Sequence, residues 1–232
     1  MNNYKEKYLK YKTKYLELKK IQGGAYGKYD EYIKMEDGKL YDKKDIIYYP
    51  KFNKRLTLSY SDFNETEKPY SFFIKDEHGS PIPLLNLKKI LTLHEDIEIV
   101  YLEYPIDSKE LQSVNKFLSG IINIDEFYDY YVSMTTKFIS GRLGKLDEFN
   151  KAFKETFIYI KEKVDQGKLI VEGIDDWSNI QNCTDRFRRN SIMASKIDTS
   201  KKSVFLCGGL HFETIFALQD HINPDLLDIY II

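Results

Sequence analysis

The stretch SVFLCGGLHF, Ser203 to Phe212, decides how this chain is expected to fold. Ser203 to Cys207 is a short apolar run with a β-branched and an aromatic member, the pattern of a buried strand. Gly208-Gly209 follows, where the backbone can turn sharply or approach a ligand closely. His211 arrives just beyond, and a helical pattern begins after it. Working outward, the same grammar recurs. Tyr70 to Ile74 is an apolar run leading into Lys75-Asp76-Glu77-His78-Gly79, and Ile97 to Leu102 is another leading into Glu103-Tyr104-Pro105. Leu169-Ile170-Val171 leads into Glu172-Gly173-Ile174-Asp175-Asp176, and Ile229 to Ile232 reads as a last, edge strand. Between these runs lie helical spacings, from Leu84 to Leu93, across 108–163 with breaks near Gly120 and Gly141 to Gly144, and from Thr184 to Ile197. Strands alternating with helices predict an α/β fold with a mostly parallel central sheet flanked by helices.

The strand ends concentrate ionisable side chains: Glu77 and His78, Glu103, Asp175 and Asp176, and His211. In open α/β sheets ligands bind outside the carboxyl ends of the strands, so parallel neighbours would bring these groups to one crevice. Two imidazoles with two or three carboxylates suit a divalent ion such as Zn²⁺ or Mn²⁺, with His78, Glu103, His211 and Asp175 as the ligands. The same groups could act without metal, a histidine serving as base and a carboxylate orienting it. On the helix 184–197, Arg186 and Asn190 share a face with Met193 and Ile197. An arginine and an asparagine facing the core need partners there, which a nearby carboxylate cluster would supply, while Arg189 could hold an anionic substrate through both prongs of its guanidinium. His94 and His221 fall in helix-like segments and read as solvated.

Bulk properties narrow the classes. The chain has 232 residues, 42% of them hydrophobic and 31% charged, an ordinary globular composition. A net charge of −1 argues against general nucleic-acid binding by the body of the protein. Cys183 and Cys207 form no CxxC pair and read as reduced thiols in a cytosol-like compartment. No apolar leader and no run of about 18 apolar residues is visible, so neither a secretory signal nor a membrane span is expected.

Three regions are expected. Residues 1–24 form a basic Tyr/Lys-rich helical tail, residues 25–65 are polar with short β elements and peripheral, and residues 66–232 form the α/β domain with a helical insertion at about 107–165. In the tail, Tyr4, Tyr8, Tyr11, Tyr15 and Leu18 recur at helical spacing, and seven lysines against two glutamates leave a local charge of +5. Such a tail could dock on a partner, a nucleic acid or an acidic surface. Gly23-Gly24 ends it, as a helix stop and joint.

Two resemblances accompany this reading. The ordered set DEHGS (76–80), YLEYP (101–105), VEGIDDW (171–177), RFRRNSIMASKI (186–197) and VFLCGGLHF (204–212) resembles the superfamily of erythromycin esterases, ChaN-like haem-binding proteins and TraB/Tiki proteins. The resemblance spans about residues 70–220. It implies a site at Glu77, His78, Glu103, Asp175, Arg189, Asn190 and His211, with Arg189 and Asn190 stabilising developing negative charge. Lys75 stands where the first GxxH motif of that superfamily has glycine. The activity implied is metal-assisted hydrolysis of an ester or peptide bond, with non-catalytic ligand or haem binding as the alternative. The tail resembles N-terminal stretches of mimivirus-like giant-virus proteins, which implies a host-cytoplasmic or virion location and a possible structural role in the particle.

Overall fold

The structure, a computed structural model, describes residues 34–36, 39–41, 57–64, 67–77, 79–139, 146–175, 186–213 and 217–232. The basic tail, His78, Asp176 and Cys183 lie outside them. The chain divides into two compact units, Met1–Ile47 and Tyr48–Ile232. In the first, strands β1 (Lys34–Glu36) and β2 (Lys39–Tyr41) pair antiparallel, with Met35 opposite Leu40.

The second unit holds a six-stranded sheet. Its strands in chain order are β3 (Thr57–Leu58), β4 (Tyr70–Asp76), β5 (Ile99–Pro105), β6 (Ile170–Asp175), β7 (Ser203–Gly208) and β8 (Asp228–Ile231). Their order across the sheet is β3-β8-β4-β7-β5-β6, and every pairing is parallel. The α/β class with a mostly parallel sheet is therefore what the chain adopts. One placement differs from the sequence reading: β8 is an inner strand, because the two-residue β3 covers its outer side. A strand that short carries no periodicity by which it could be read.

The helices are α1 (Ile82–Leu93), α2 (Lys109–Leu118), α3 (Ile124–Ile139), α4 (Leu146–Asp165), α5 (Arg186–Lys196) and the single turn α6 (Leu210–Glu213). They sort by face, and alternation along the strands shows how. Phe72, Ile74, Val100, Leu102 and Val204 point into one core with Leu87 of α1, Val114 and Phe117 of α2, Phe127 of α3 and Phe153 and Phe157 of α4. Phe73, Ile99, Tyr101, Phe205 and Cys207 point into the other with Met193, Ala194 and Ile197 of α5, Phe212 of α6 and Leu218 of a short 3₁₀ helix, Leu218–His221.

This sorting positions the site. From β4 to β5 to β6 the chain steps one way across the sheet through α1 to α4. From β6 to β7 to β8 it steps back through α5 and α6. A reversal of direction that moves the helices to the other face is what right-handed crossovers require. At their carboxyl ends β4 and β5 therefore send their chain to one face, while β7 between them sends its chain to the other. The loops part, leaving the crevice in which doubly wound sheets hold their ligands.

Beside that crevice β5 and β6 change register between Leu102 and Pro105, with Glu103 and Tyr104 in the irregular stretch. Gly173 on β6 is fixed by it: a Cβ there would stand 2.5 Å from the Tyr104 carbonyl oxygen and 2.8 Å from Leu111 Cδ2. Only glycine lets α2 and the irregularity close on β6.

Candidate functional site

Glu103 is the centre. Along β5 it follows Ile99 and Tyr101 on the α5 side, so the period-two alternation that buries those two carries the carboxylate toward α5 and α6. Its Oε2 accepts the Gly208 N–H at 2.7 Å and the Cys207 S–H at 3.3 Å, both from β7 next door. Its Oε1 lies 2.8 Å from Arg189 Nη2 and 3.0 Å from His211 Nε2. Gly208 leaves room for this seat, since a Cβ there would stand 3.2 Å from Oε2 and the carboxylate would have to give by a few tenths of an ångström. The Glu103 side chain keeps 20% of its surface exposed, whereas His211 keeps 5% and Arg189 8%. Glu103 is thus the member of the cluster that meets solvent.

Arg189 and Asn190 come from α5, on the stripe that also buries Met193, Ala194 and Ile197. The guanidinium takes Asp175 in a two-pronged contact, Nε to Oδ1 at 3.1 Å and Nη2 to Oδ2, and reaches Glu103 with the same Nη2. Asp175 is fully buried, and its backbone carbonyl also accepts Lys196 Nζ at 3.1 Å. Asn190, likewise buried, directs Oδ1 to His211 Nδ1 and donates Nδ2 to the His211 carbonyl at 3.3 Å.

Charge follows geometry. Burial pushes the Glu103 carboxyl toward its neutral form. The hydrogen bond and charge of His211, the Gly208 N–H and the Arg189 charge outweigh it and hold the group well below the usual carboxylate range. Burial opposes the charge on Arg189 as well, but Asp175 and then Glu103 more than compensate and raise its hold on the proton. Cys207 goes the other way. Burial first, and the neighbouring Glu103 charge next, push the thiol well above its ordinary range, so it is a neutral S–H donor.

The structure thus brings Glu103, Asp175, Arg189, Asn190 and His211 into one network across four elements. Glu77 follows β4 beyond Asp76, which is in register with Gly208, and its side chain is exposed. Two assigned duties change. Asp175, expected among metal ligands, gives both carboxylate oxygens to Arg189. Arg189 and Asn190, expected to face developing negative charge, instead serve two carboxylates and His211. Among the described residues, the three side chains whose ligand atoms lie within 4.8 Å of one another are Glu103, His211 and Cys207. Cys207 was missed because a thiol at the end of an apolar strand reads as core. Its nearness to Glu103 in the parallel register is the signal that could have found it, because Leu206 pairs with Leu102 one step earlier.

No protein-family model and no curated protein matches the chain. Among solved structures it is similar to RRSP, a MARTX toxin effector domain from Vibrio vulnificus CMCP6. That similarity has 12% identity and a TM-score of 0.38, covering 66% of this chain and 32% of that one. The chain spans about a third of that protein's length, and a likeness this slight carries no argument about activity.

Proposed function

We propose that this protein is a hydrolase of ester or peptide bonds, of the erythromycin esterase, ChaN and TraB/Tiki type, with His211 and Glu103 as its acid–base couple. One observation carries the reading: His211 Nε2 lies 3.0 Å from Glu103 Oε1, and Glu103, with a fifth of its side chain exposed, is the member of the pair that solvent reaches. Hydrolysis moves one proton off the attacking water and one onto the leaving alcohol or amine, and a carboxylate–imidazole pair can hold the proton between those events. Arg189 and the Gly208 N–H keep the carboxylate in place while it does so.

The test is turnover of a panel of ester and peptide substrates. Glu103→Gln and His211→Ala are each expected to lower it by about a hundredfold to ten-thousandfold, the usual weight of positioned acid–base groups. A wild-type protein that turns over no member of the panel overturns the reading.

A metal-assisted version has its own support in the 4.8 Å grouping of Glu103, Cys207 and His211, a donor set of the kind that binds zinc. A bound divalent ion would polarise the scissile carbonyl or acidify a water. Against it, both Glu103 oxygens already accept hydrogen bonds. Metal analysis of the purified protein separates the versions: a stoichiometric ion lost on Cys207→Ser selects the metal, and turnover indifferent to chelators selects the metal-free couple.

A further inference from the structure

We infer that Asn190 is the positioning residue of this site, fixing the His211 ring so that Nε2 faces Glu103. The inference rests on the hydrolase reading only in its kinetic arm. It starts from how little else holds the ring. His211 belongs to α6, one turn of four residues between the end of β7 and the residues before Ala217. A helix that short has no stability of its own, and its final carbonyls lack intrahelical partners. Two buried amides supply them: Asn190 Nδ2 donates to the His211 carbonyl at 3.3 Å, and Gln219 Nε2 donates to the Phe212 carbonyl at 3.1 Å. Phe212 anchors the other side of the turn, its ring 5.4 Å from that of Phe73 and 6.1 Å from that of Phe205.

Asn190 does more than Gln219 because both ends of its amide meet the same residue. With Nδ2 committed to the carbonyl of His211, Oδ1 is the atom that meets the ring, and it can only accept. The proton at that contact is therefore on Nδ1, and the 3.0 Å contact of Nε2 with Glu103 Oε1 takes a second proton, shared between those two atoms. One buried amide thus sets the height of the turn, the rotation of the ring and the ring atom offered to the carboxylate. Asn190 is itself held by the helix stripe of Met193 and Ala194 packed in the core, a rigid support for such a task.

The experiment compares Asn190→Ala with Asn190→Asp in the full chain. The aspartate keeps an oxygen for the Nδ1 proton but cannot donate to the His211 carbonyl; the alanine loses both contacts. Ring ¹⁵N–¹H NMR on histidine-labelled protein, with the His211 signal assigned by His211→Ala, reads the ring directly. The expected result is a protected Nδ1–H in the wild type, retained in Asn190→Asp and lost in Asn190→Ala. On an active substrate, kcat is expected to fall about a hundredfold in Asn190→Ala with KM nearly unchanged, a loss typical of a misplaced reacting group, and the aspartate to recover part of it. Should Asn190→Ala fail to fold, wild type against Asn190→Asp still decides, because a mere cap for the turn would lose its function in the aspartate variant. An Nδ1–H signal unchanged in Asn190→Ala, or lost in Asn190→Asp, overturns the inference. The expected NMR pattern without any turnover supports the positioning role and sinks the hydrolase reading instead.

Discussion

Two histidines mark opposite edges of the same sheet, and the sequence already sets them apart, His211 just beyond a strand and His94 in a helix-like segment. His211, at the carboxyl edge, is held by an amide on one ring nitrogen and a carboxylate at the other. His94 caps α1 at the amino edge and is held by rings. Its centroid lies 4.7 Å from that of Phe63, 4.8 Å from Phe72, 5.8 Å from Tyr70 and 6.2 Å from Tyr60. The Tyr70 hydroxyl lies 3.4 Å from His94 Nδ1 and donates to Asp96 at 2.8 Å. One imidazole is bonded through its nitrogens and the other packed through its faces. The difference teaches that place along the chain can mark which histidine meets polar partners, whereas only the neighbours tell whether the other is solvated or packed. His94, read as solvated from the sequence, is a packed side chain.

The sharpest way to break the contrast is to remove the cation at the carboxyl edge. Arg189→Met leaves Asp175 buried without its partner and Glu103 short of a donor. Removing one member of a buried pair costs about 3–5 kcal/mol, because the charge left behind stays desolvated. Urea unfolding should show a loss of that order, and a loss under about 1 kcal/mol would mean that the network is wetter than its burial implies. Acid sharpens the same point. The Glu103 carboxyl is depressed below its ordinary value of 4.5, so its contribution to stability is complete above that value. It is lost as pH falls from there through the folded-state value. The unfolding midpoint should therefore drop between pH of about 5 and about 2 more steeply in the wild type than in Glu103→Gln, which has no proton to take up there. Parallel curves would show that the carboxyl is not held down.

Much of this site was legible because a parallel sheet gathers strand ends by construction. Apolar runs closing on Glu103, Asp175 and His211, and a helix carrying Asn190 beside Met193, gave part of the membership. Arg189 came from the resemblance of its helix motif, helical spacing having assigned the core-facing arginine to Arg186. The division of labour was not legible. Whether Asp175 meets a metal or a guanidinium depends on how closely α5 docks on β6, a tertiary distance that periodicity does not encode. The cage of His94 draws Tyr60 and Phe63 from some thirty residues upstream, in a region without a strong pattern. His78, on which the first motif depends, lies outside the described residues.

Backbone closeness supplies a smaller effect at the carboxyl edge. Gly173→Ala would place a methyl against the Tyr104 carbonyl and Leu111, and overpacking of this kind costs roughly 1–3 kcal/mol. Because the irregularity that carries Glu103 must shift to admit the methyl, turnover should fall along with the thermal midpoint. Full activity in a destabilised protein would show that the register change is mere geometry. At the amino edge the outcome should be opposite in kind. His94→Ala empties a half-buried site bounded by rings and should lower stability by roughly 1–2 kcal/mol, the order of one or two aromatic contacts at about 0.5–1.5 kcal/mol each as the rings relax into the space, and leave turnover untouched.

The weakest expected effect tests the comparison most simply. Lys201 Nζ meets Glu98 Oε2 at 2.5 Å at the amino edge, a contact as short as those around Arg189, but the two side chains keep 43% and 45% of their surface exposed. Distance alone would rank this pair with the carboxyl-edge network. Burial ranks it far below, because water screens the attraction and two long side chains lose rotamer freedom to hold it. Lys201→Ala should move the urea midpoint by no more than replicate scatter, and any shift should vanish in about 1 M salt, where the screening length is about 3 Å. A salt-resistant loss approaching that of Arg189→Met would mean that proximity, rather than exclusion of water, gives an ion pair its weight in this fold, and the distinction between the two edges would collapse with it.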